Sequence, residues 1–134
     1  MRKTAHIYLL LLFFTTIFFA GCDKDTPKNS ELLIGSWTKF YVSSDTSFNV
    51  KMTFNDNGTF TWEMLEVVST HLNSYLDYFA TETDIELIND PECGVDIEGK
   101  YSYNITEDKL KISLVSDECS QRISGFSGEW KRFE

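Results

Sequence analysis

The sequence predicts an all-β domain of antiparallel strands, because two stretches of the chain each read as a hairpin with one apolar face. Residues 48–54 and 59–64 alternate apolar and polar side chains, and so do residues 100–105 and 109–114. A period of two is typical of strands that bury one face. Within each pair the two strands are separated by only a few turn-forming residues, so they must run antiparallel.

The first strand is predicted over residues 38–43, and the first hairpin follows it. A three-residue loop, Asp56-Asn57-Gly58, pairs Asn55 with Thr59 and places Gly58 in the left-handed conformation that glycine tolerates. This register sets apolar side chains opposite one another in three pairs: Val50 with Met64, Met52 with Trp62, and Phe54 with Phe60.

The middle of the chain allows two interpretations. Apolar residues at helical spacing predict a short helix over about 70–80, capped by Ser69 or Thr70; they are Val68, Leu72, Tyr75, Leu76 and Phe79. The alternative is a strand that continues from Met64 and ends in a loop. Residues 85–88 predict another strand, which a turn over residues 89–92 follows.

The second hairpin has the same logic as the first. A two-residue loop at Glu107-Asp108 sets Tyr101 opposite Leu114, Tyr103 opposite Ile112, and Ile105 opposite Leu110. One face of this hairpin is again apolar and the other polar. Residues 127–133, which contain Trp130, predict a closing strand.

Residues 1–21 resemble the signal peptide of a bacterial lipoprotein. Arg2 and Lys3 precede a 14-residue apolar stretch, and Ala20-Gly21 stand before Cys22 as in a lipobox. That stretch is shorter than the roughly 20 residues that a membrane-spanning helix needs. We therefore expect cleavage before Cys22 and anchoring of the protein through lipid on that residue.

The expected mature chain divides into a tether and a domain. Residues 22–31 would form the lipidated cysteine and a flexible polar tether, and residues 32–134 the folded domain. Lys24-Asp25 resembles the export signals of surface lipoproteins in Bacteroidetes. We expect a cell-envelope protein, held at the outer membrane on its periplasmic or its surface face.

Charge and cysteine content narrow the function further. The expected mature chain has ten basic and 21 acidic residues, a net charge of −11, which argues against nucleic acid as a partner. With Cys22 lipidated, Cys93 and Cys119 are the remaining pair in an oxidising compartment, and we expect them to form a disulfide.

The ordered motifs resemble a small bacterial lipocalin-like lipoprotein of the Bacteroidetes type. They are Gly35-Ser36-Trp37, Phe54–Phe60 with its Asn-Asp-Asn-Gly turn, Gly99-Lys100-Tyr101-Ser102, Asp108-Lys109-Leu110 and a final strand with tryptophan. The resemblance implies an antiparallel up-and-down β-barrel of about eight strands, with a short helix or loop insertion near 66–92. It also implies that Trp37 closes one end of the barrel beneath Arg132 or Arg122.

The residues give no support for an enzyme. His71 stands alone in the expected mature chain, no cysteine and histidine cluster has metal-ligand spacing, and no serine–histidine–acid set is present. The dense acids over residues 82–98 match no metal-binding loop and are best interpreted as a solvated face. We expect neither a catalytic site, nor a metal, nor a cofactor.

The barrel interior decides between the two remaining functions. A ring-lined cavity would bind a small apolar or amphipathic ligand among Trp37, Phe60, Trp62, Tyr101 and Tyr103. Access would come from the end opposite Trp37, with Tyr75, Leu76 and Phe79 as a lid. The alternative is a solid barrel whose loops or 66–92 segment bind an envelope protein or a glycan.

Overall fold

The strands close into a barrel of eight in which each pairs with the next in sequence and β8 pairs with β1. The computed structural model describes residues 28–42, 46–66 and 73–134. The strands are β1 Gly35–Val42, β2 Ser47–Phe54, β3 Thr59–Met64, β4 Ser74–Ala80, β5 Asp84–Ile88, β6 Gly99–Thr106, β7 Lys109–Ser116 and β8 Gly128–Arg132. Helix α1, Asn29–Leu33, precedes β1, and helix α2, Ser120–Phe126, lies between β7 and β8. The up-and-down barrel is confirmed, whereas the signal peptide, Cys22 and His71 lie outside the described residues.

Both predicted hairpin registers are confirmed. Phe54 pairs with Phe60 and Met52 with Trp62 in the first, and Tyr103 pairs with Ile112 in the second. Gly58 has a φ of 83° in the first turn. Turn chemistry and the apolar pattern agree at both places, so each register is fixed locally.

The predicted helix over residues 70–80 is wrong over residues 73–80, while residues 70–72 lie outside the described residues. The expected insertion near 66–92 contributes strands β4 and β5 to the barrel. Ser74–Ala80 is strand β4, which pairs with β3 on one side and β5 on the other. The strand is not a continuation from Met64 either, because it runs antiparallel to β3. The barrel needs this strand, since β3 and β5 would otherwise leave two unpaired edges, and that requirement outweighs a weak helical spacing.

The prediction that Tyr75, Leu76 and Phe79 form a lid is also wrong. Leu76 points into the barrel and is buried, while Tyr75 and Phe79 point outward and are 61% and 65% exposed. All three residues are fixed in a strand with partners on both sides. They therefore form part of the barrel wall and do not cover an opening.

The barrel end next to α1 is closed. Leu33 is fully buried there, and its carbonyl accepts a hydrogen bond of 2.9 Å from the indole N–H of Trp37. The Arg132 guanidinium lies 3.8 Å from the centre of the Trp37 ring and donates to the carbonyls of Leu32 and Ile34. Arg132 is thus the residue that stacks on Trp37, while Arg122 lies elsewhere.

Helix α1 begins inside the segment that the sequence assigned to a tether. The Asn29 backbone N–H and the Ser30 hydroxyl both donate to the Glu82 carboxylate, at 2.9 Å in each case. These contacts tie the first turn of α1 to the loop between β4 and β5. The tether prediction is therefore too long, because residues 29–31 belong to the folded domain.

The arrangement around Trp37 occurs a second time around Trp130, at the other end of the barrel. Phe126 ends α2 and is buried, and its carbonyl accepts a hydrogen bond of 3.0 Å from the Trp130 indole. Lys39 lies 5.4 Å from the Trp130 ring and donates to the Ser127 carbonyl at 2.8 Å. Each end of the barrel therefore has the same arrangement, which consists of a short helix, a glycine and a tryptophan. A cation from the neighbouring strand lies over each tryptophan ring.

The pairing of β1 with β8 explains this repetition. The two strands are antiparallel, with Trp37 opposite Arg132 and Thr38 opposite Lys131. An approximate two-fold axis between them therefore relates the two ends. The glycines at the turns, Gly35 and Gly128, both have a φ near 120°, a conformation that only glycine adopts without strain.

Candidate functional site

A cavity of about 430 Å³ lies at the α2 end of the barrel. It is bounded by the inward faces of β1 to β5, by the turn after β5 and by α2. Its walls are formed by Tyr41, Phe48, Phe60, Trp62, Met64, Ser74, Leu76, Leu87, Asp90, Glu92, Cys93, Gln121, Arg122, Ser124, Gly125 and Phe126. Among the described residues, the barrel interior is open at the α2 end, whereas Leu33 and Trp37 fill the α1 end.

Aromatic rings form most of one wall. Tyr41 and Phe48 stack with ring centres 5.6 Å apart, and Trp62 meets Trp130 edge-on at 5.4 Å. These side chains project inward because each occupies an inward position of an alternating strand. The half-buried Trp62 packs against Gly125 of α2, where an added methyl group would lie 3.1 Å from its ring. This wall is preformed and apolar.

Phe126 is the floor of the cavity. Its ring lies 4.7 Å from Tyr101 and 5.6 Å from Phe60, between centres. Below it the barrel is filled, since Trp37 and Tyr101 are fully buried and the Tyr103 hydroxyl donates to the Thr81 carbonyl at 2.6 Å. A filled core and a cavity therefore share one interior.

Only two of the five residues predicted to bind a ligand line the cavity. Phe60 and Trp62 line the cavity, whereas Trp37, Tyr101 and Tyr103 lie in the packed half beneath Phe126. The sequence prediction does not include Tyr41 and Phe48, although their inward positions follow from the same alternation. The sequence contains one feature that could have indicated the part of α2 in the cavity wall: Gly128-Glu129-Trp130 repeats the pattern of Gly35-Ser36-Trp37.

A buried ionic cluster forms the polar wall. The Nε and Nη2 groups of Arg122 donate to the Asp117 carboxylate at 2.6 and 2.9 Å, and Nη1 donates to Asp90 at 3.2 Å. Nη2 also donates to the Ile97 carbonyl at 3.0 Å, and the Tyr101 hydroxyl donates to Asp117. Such a network is stable because nearly every polar atom in it has a partner.

Proton affinities in this cluster follow from burial and pairing. Burial by itself would raise the pKa of Asp117, but hydrogen bonds from Arg122 and Tyr101 outweigh it and hold that pKa below its usual range. Burial raises the pKa of Tyr101, and the hydrogen bond to Asp117 adds to the effect. Outside the cluster, in the packed half of the barrel, burial also raises the pKa of Tyr103 to about 12. These tyrosines are neutral hydrogen-bond donors at neutral pH.

The predicted disulfide between Cys93 and Cys119 is confirmed, with the two Cα atoms 5.6 Å apart. It links the turn after β5 to the residue that precedes α2. Helix α2 is also held by the Tyr41 hydroxyl, which donates to the Gly125 carbonyl. The cavity is thus closed on one side by a covalently fixed helix.

The described residues contain neither a grouped set of metal-ligand side chains nor a long apolar helix. Among residues 28–42, 46–66 and 73–134, no three histidine, cysteine, aspartate or glutamate side chains are grouped as a metal site would need. Within the same residues, no helix has the length and apolar character to cross a membrane.

Comparison with known proteins gives one distant structural likeness. No protein-family model matches the chain, and no curated protein sequence matches it. The crystal structure of Treponema pallidum Tp0751 (Pallilysin) is similar at 12% identity and a TM-score of 0.49, over 77% of this chain and 81% of that one. This likeness is too distant to inform the function.

Proposed function

We propose that this protein is a non-enzymatic barrel that binds a small apolar or amphipathic ligand in the cavity at the α2 end. The observation that carries the proposal is the cavity itself. Its volume of about 430 Å³ lies within the roughly 300–1,000 Å³ that is usual for small-molecule sites. Its lining combines aromatic and aliphatic walls with a few fixed polar groups, which is the usual composition of such sites.

The cavity also favours this proposal over an interaction module with a solid barrel. A solid barrel would fill its interior with the inward side chains of all eight strands. Here Phe126 ends the filled region, and Trp62 and Leu76 face open space above it. An apolar surface left open in this way is most simply explained by an occupant.

The test compares two aromatic residues at different depths. A neutral fluorescent probe such as N-phenyl-1-naphthylamine should bind the parent protein. Trp62→Ala should weaken probe binding at least tenfold, because the ring lines the cavity. Tyr103→Ala should instead cost about 3–5 kcal/mol of stability and leave the affinity of the folded protein unchanged, because Tyr103 lies in the packed half.

Probe binding by the parent protein tests the proposed function directly. Absence of probe binding to the folded parent would reject ligand binding. Equal loss of affinity in Trp62→Ala and Tyr103→Ala would show that the cavity is not the site. Unfolding by urea, followed by tryptophan fluorescence, measures the stability of both variants against the parent.

We also propose that the protein is anchored at the outer membrane through lipid on Cys22. The support is the sequence of residues 1–22, with its positive start, its apolar stretch and Gly21-Cys22. Cys22→Ala should move the protein from the membrane fraction to the soluble fraction. Cys22→Ala protein that stays in the membrane fraction after a carbonate wash would contradict this part of the proposal.

A further inference from the structure

We infer that the ligand of the cavity carries a cationic head group, which the carboxylate of Glu92 receives at the cavity mouth. This inference rests on the proposed function and adds to it the charge of the ligand. Its basis is the balance of free and occupied charges around the cavity.

The guanidinium of Arg122, in the cavity wall, already donates hydrogen bonds to protein groups. Four of the N–H contacts of Arg122 go to Asp117, Ile97 and Asp90, and its side chain is 5% exposed. A carboxylate ligand would meet a guanidinium whose charge Asp117 and Asp90 already balance, or would have to displace one of these two acids and leave it unpaired. That exchange is unfavourable, because an unpaired buried charge costs several kcal/mol.

The second cation near the cavity is also occupied. The Lys39 ammonium group donates to the Ser127 carbonyl at 2.8 Å and lies 4.6 Å from the centre of the Tyr41 ring. Burial lowers the pKa of this amine. Lys39 therefore stabilises the end of α2, and it is not among the residues that line the cavity.

Glu92 is different, because its carboxylate is available. It lines the cavity, its side chain is exposed, and among the described residues no hydrogen-bond donor or basic group pairs with that carboxylate. The neighbouring Asp90 carboxylate is satisfied, because it accepts from Arg122 and from the backbone N–H groups of Glu92 and Cys93. Within the part of the chain that the structure describes, the free charge among the lining residues is therefore negative.

The aromatic wall suits the same ligand. Rings attract cations through their electron-rich faces, and Phe48 and Trp62 both line the cavity. An organic cation with an apolar body could place its body against Phe60 and Leu76. Its positive head would then lie among the rings and close to Glu92.

The experiment uses three amphiphiles of ten-carbon chain length, the two ionic ones below their micelle concentrations and the alcohol below its solubility limit. They are decyltrimethylammonium, decanol and decanoate, and each competes with N-phenyl-1-naphthylamine for the cavity. The cation should bind at least tenfold more tightly than the anion, with the alcohol between them. The preference should shrink at high salt, because the ion pair at the mouth is exposed to solvent.

Two matched variants locate the effect. Glu92→Gln should weaken the binding of the cation at least threefold, strengthen that of the anion, and leave decanol unchanged. Glu118→Gln makes the same change in net charge at an exposed residue that does not line the cavity. This control should leave all three affinities within twofold of those of the parent.

Each outcome bears on one of the two proposals. Tight binding of decanol and decanoate with no preference for the cation would overturn the inference and leave the proposed function standing. Equal effects of Glu92→Gln and Glu118→Gln would show that only net charge matters, which also overturns it. Failure of all three amphiphiles and the probe to bind would reject the proposed function, and the inference with it.

Discussion

Removal of the disulfide between Cys93 and Cys119 should destabilise the protein by a calculable amount. The double substitution Cys93→Ser and Cys119→Ser leaves the size of both side chains nearly unchanged, and both positions are half-buried, so the new hydroxyls remain within reach of water. The packing of α2 through Phe126 and Trp130 is not touched. The effect therefore comes mainly from the unfolded chain.

Loop length sets the magnitude. The two cysteines are 26 residues apart in sequence. In the chain-entropy account, closing a loop of this length lowers the entropy of the unfolded state enough to stabilise the folded protein by about 3.5 kcal/mol at 25 °C. For a small domain with a total stability of about 5–15 kcal/mol, this is a large share.

Urea unfolding followed by tryptophan fluorescence measures the loss. We expect the midpoint to fall and the slope of free energy against urea to rise, because the unfolded chain becomes more expanded without its cross-link. Reducing the disulfide of the parent protein should reproduce both changes. Agreement between reduced parent and double variant shows that the serines themselves contribute little.

Two results would refute this reasoning. A loss below about 1 kcal/mol with an unchanged slope would mean that the link hardly restricts the unfolded chain. A loss of stability well above about 5 kcal/mol, accompanied by weaker binding of the probe, would mean that the bond holds α2 in place in the folded state. In that second case probe binding would fall together with stability.

The remaining predictions concern the buried ionic cluster. Gly99→Ala should cost at least about 2 kcal/mol of stability, because the added methyl group would clash with the Asp117 carboxylate and lie 2.9 Å from Nε of Arg122. Ser102→Ala on the same strand is the control. Equal stability of the two variants would disprove the clash. Asp117→Asn should cost about 3–5 kcal/mol near pH 7, because it removes one partner of a buried ion pair. The folded-state pKa of Asp117 lies below its ordinary value of 3.8, so its charge stabilises the fold above that pH and the contribution is lost as the pH falls further. Stability measured between about pH 5 and pH 2 should therefore fall less steeply in Asp117→Asn than in the parent, and parallel curves would contradict the assignment.

Local sequence features were sufficient for the two hairpins. Each combines a turn of defined length with apolar residues that alternate on both sides, so that one register alone puts every large side chain on the same face. Residues close in sequence decide such a structure, since even the outermost facing apolar pairs, Val50 with Met64 and Tyr101 with Leu114, lie within one hairpin. The same holds for the strand at Asp84–Ile88 and for the closing strand with Trp130.

Strand β4 shows where local features fail. Leu72, Tyr75, Leu76 and Phe79 fall at helical spacing, but Tyr75 and Phe79 lie on the outer face of the barrel. Their spacing therefore does not reflect one buried side. The need of β3 and β5 for hydrogen-bond partners is a property of the closed sheet, and it cannot be seen within the segment itself.

Local patterns in the sequence are sufficient to predict the all-β class, the hairpin registers, the cysteine pair and the inward position of the aromatic residues. These depend on the alternation of a strand and on short turns, which are local properties. Tertiary structure alone decided that α2 inserts Phe126 into the barrel and divides its interior into a filled half and a cavity. Whether inward rings meet one another or face open space depends on how the ends are closed, and residues far apart in sequence meet there.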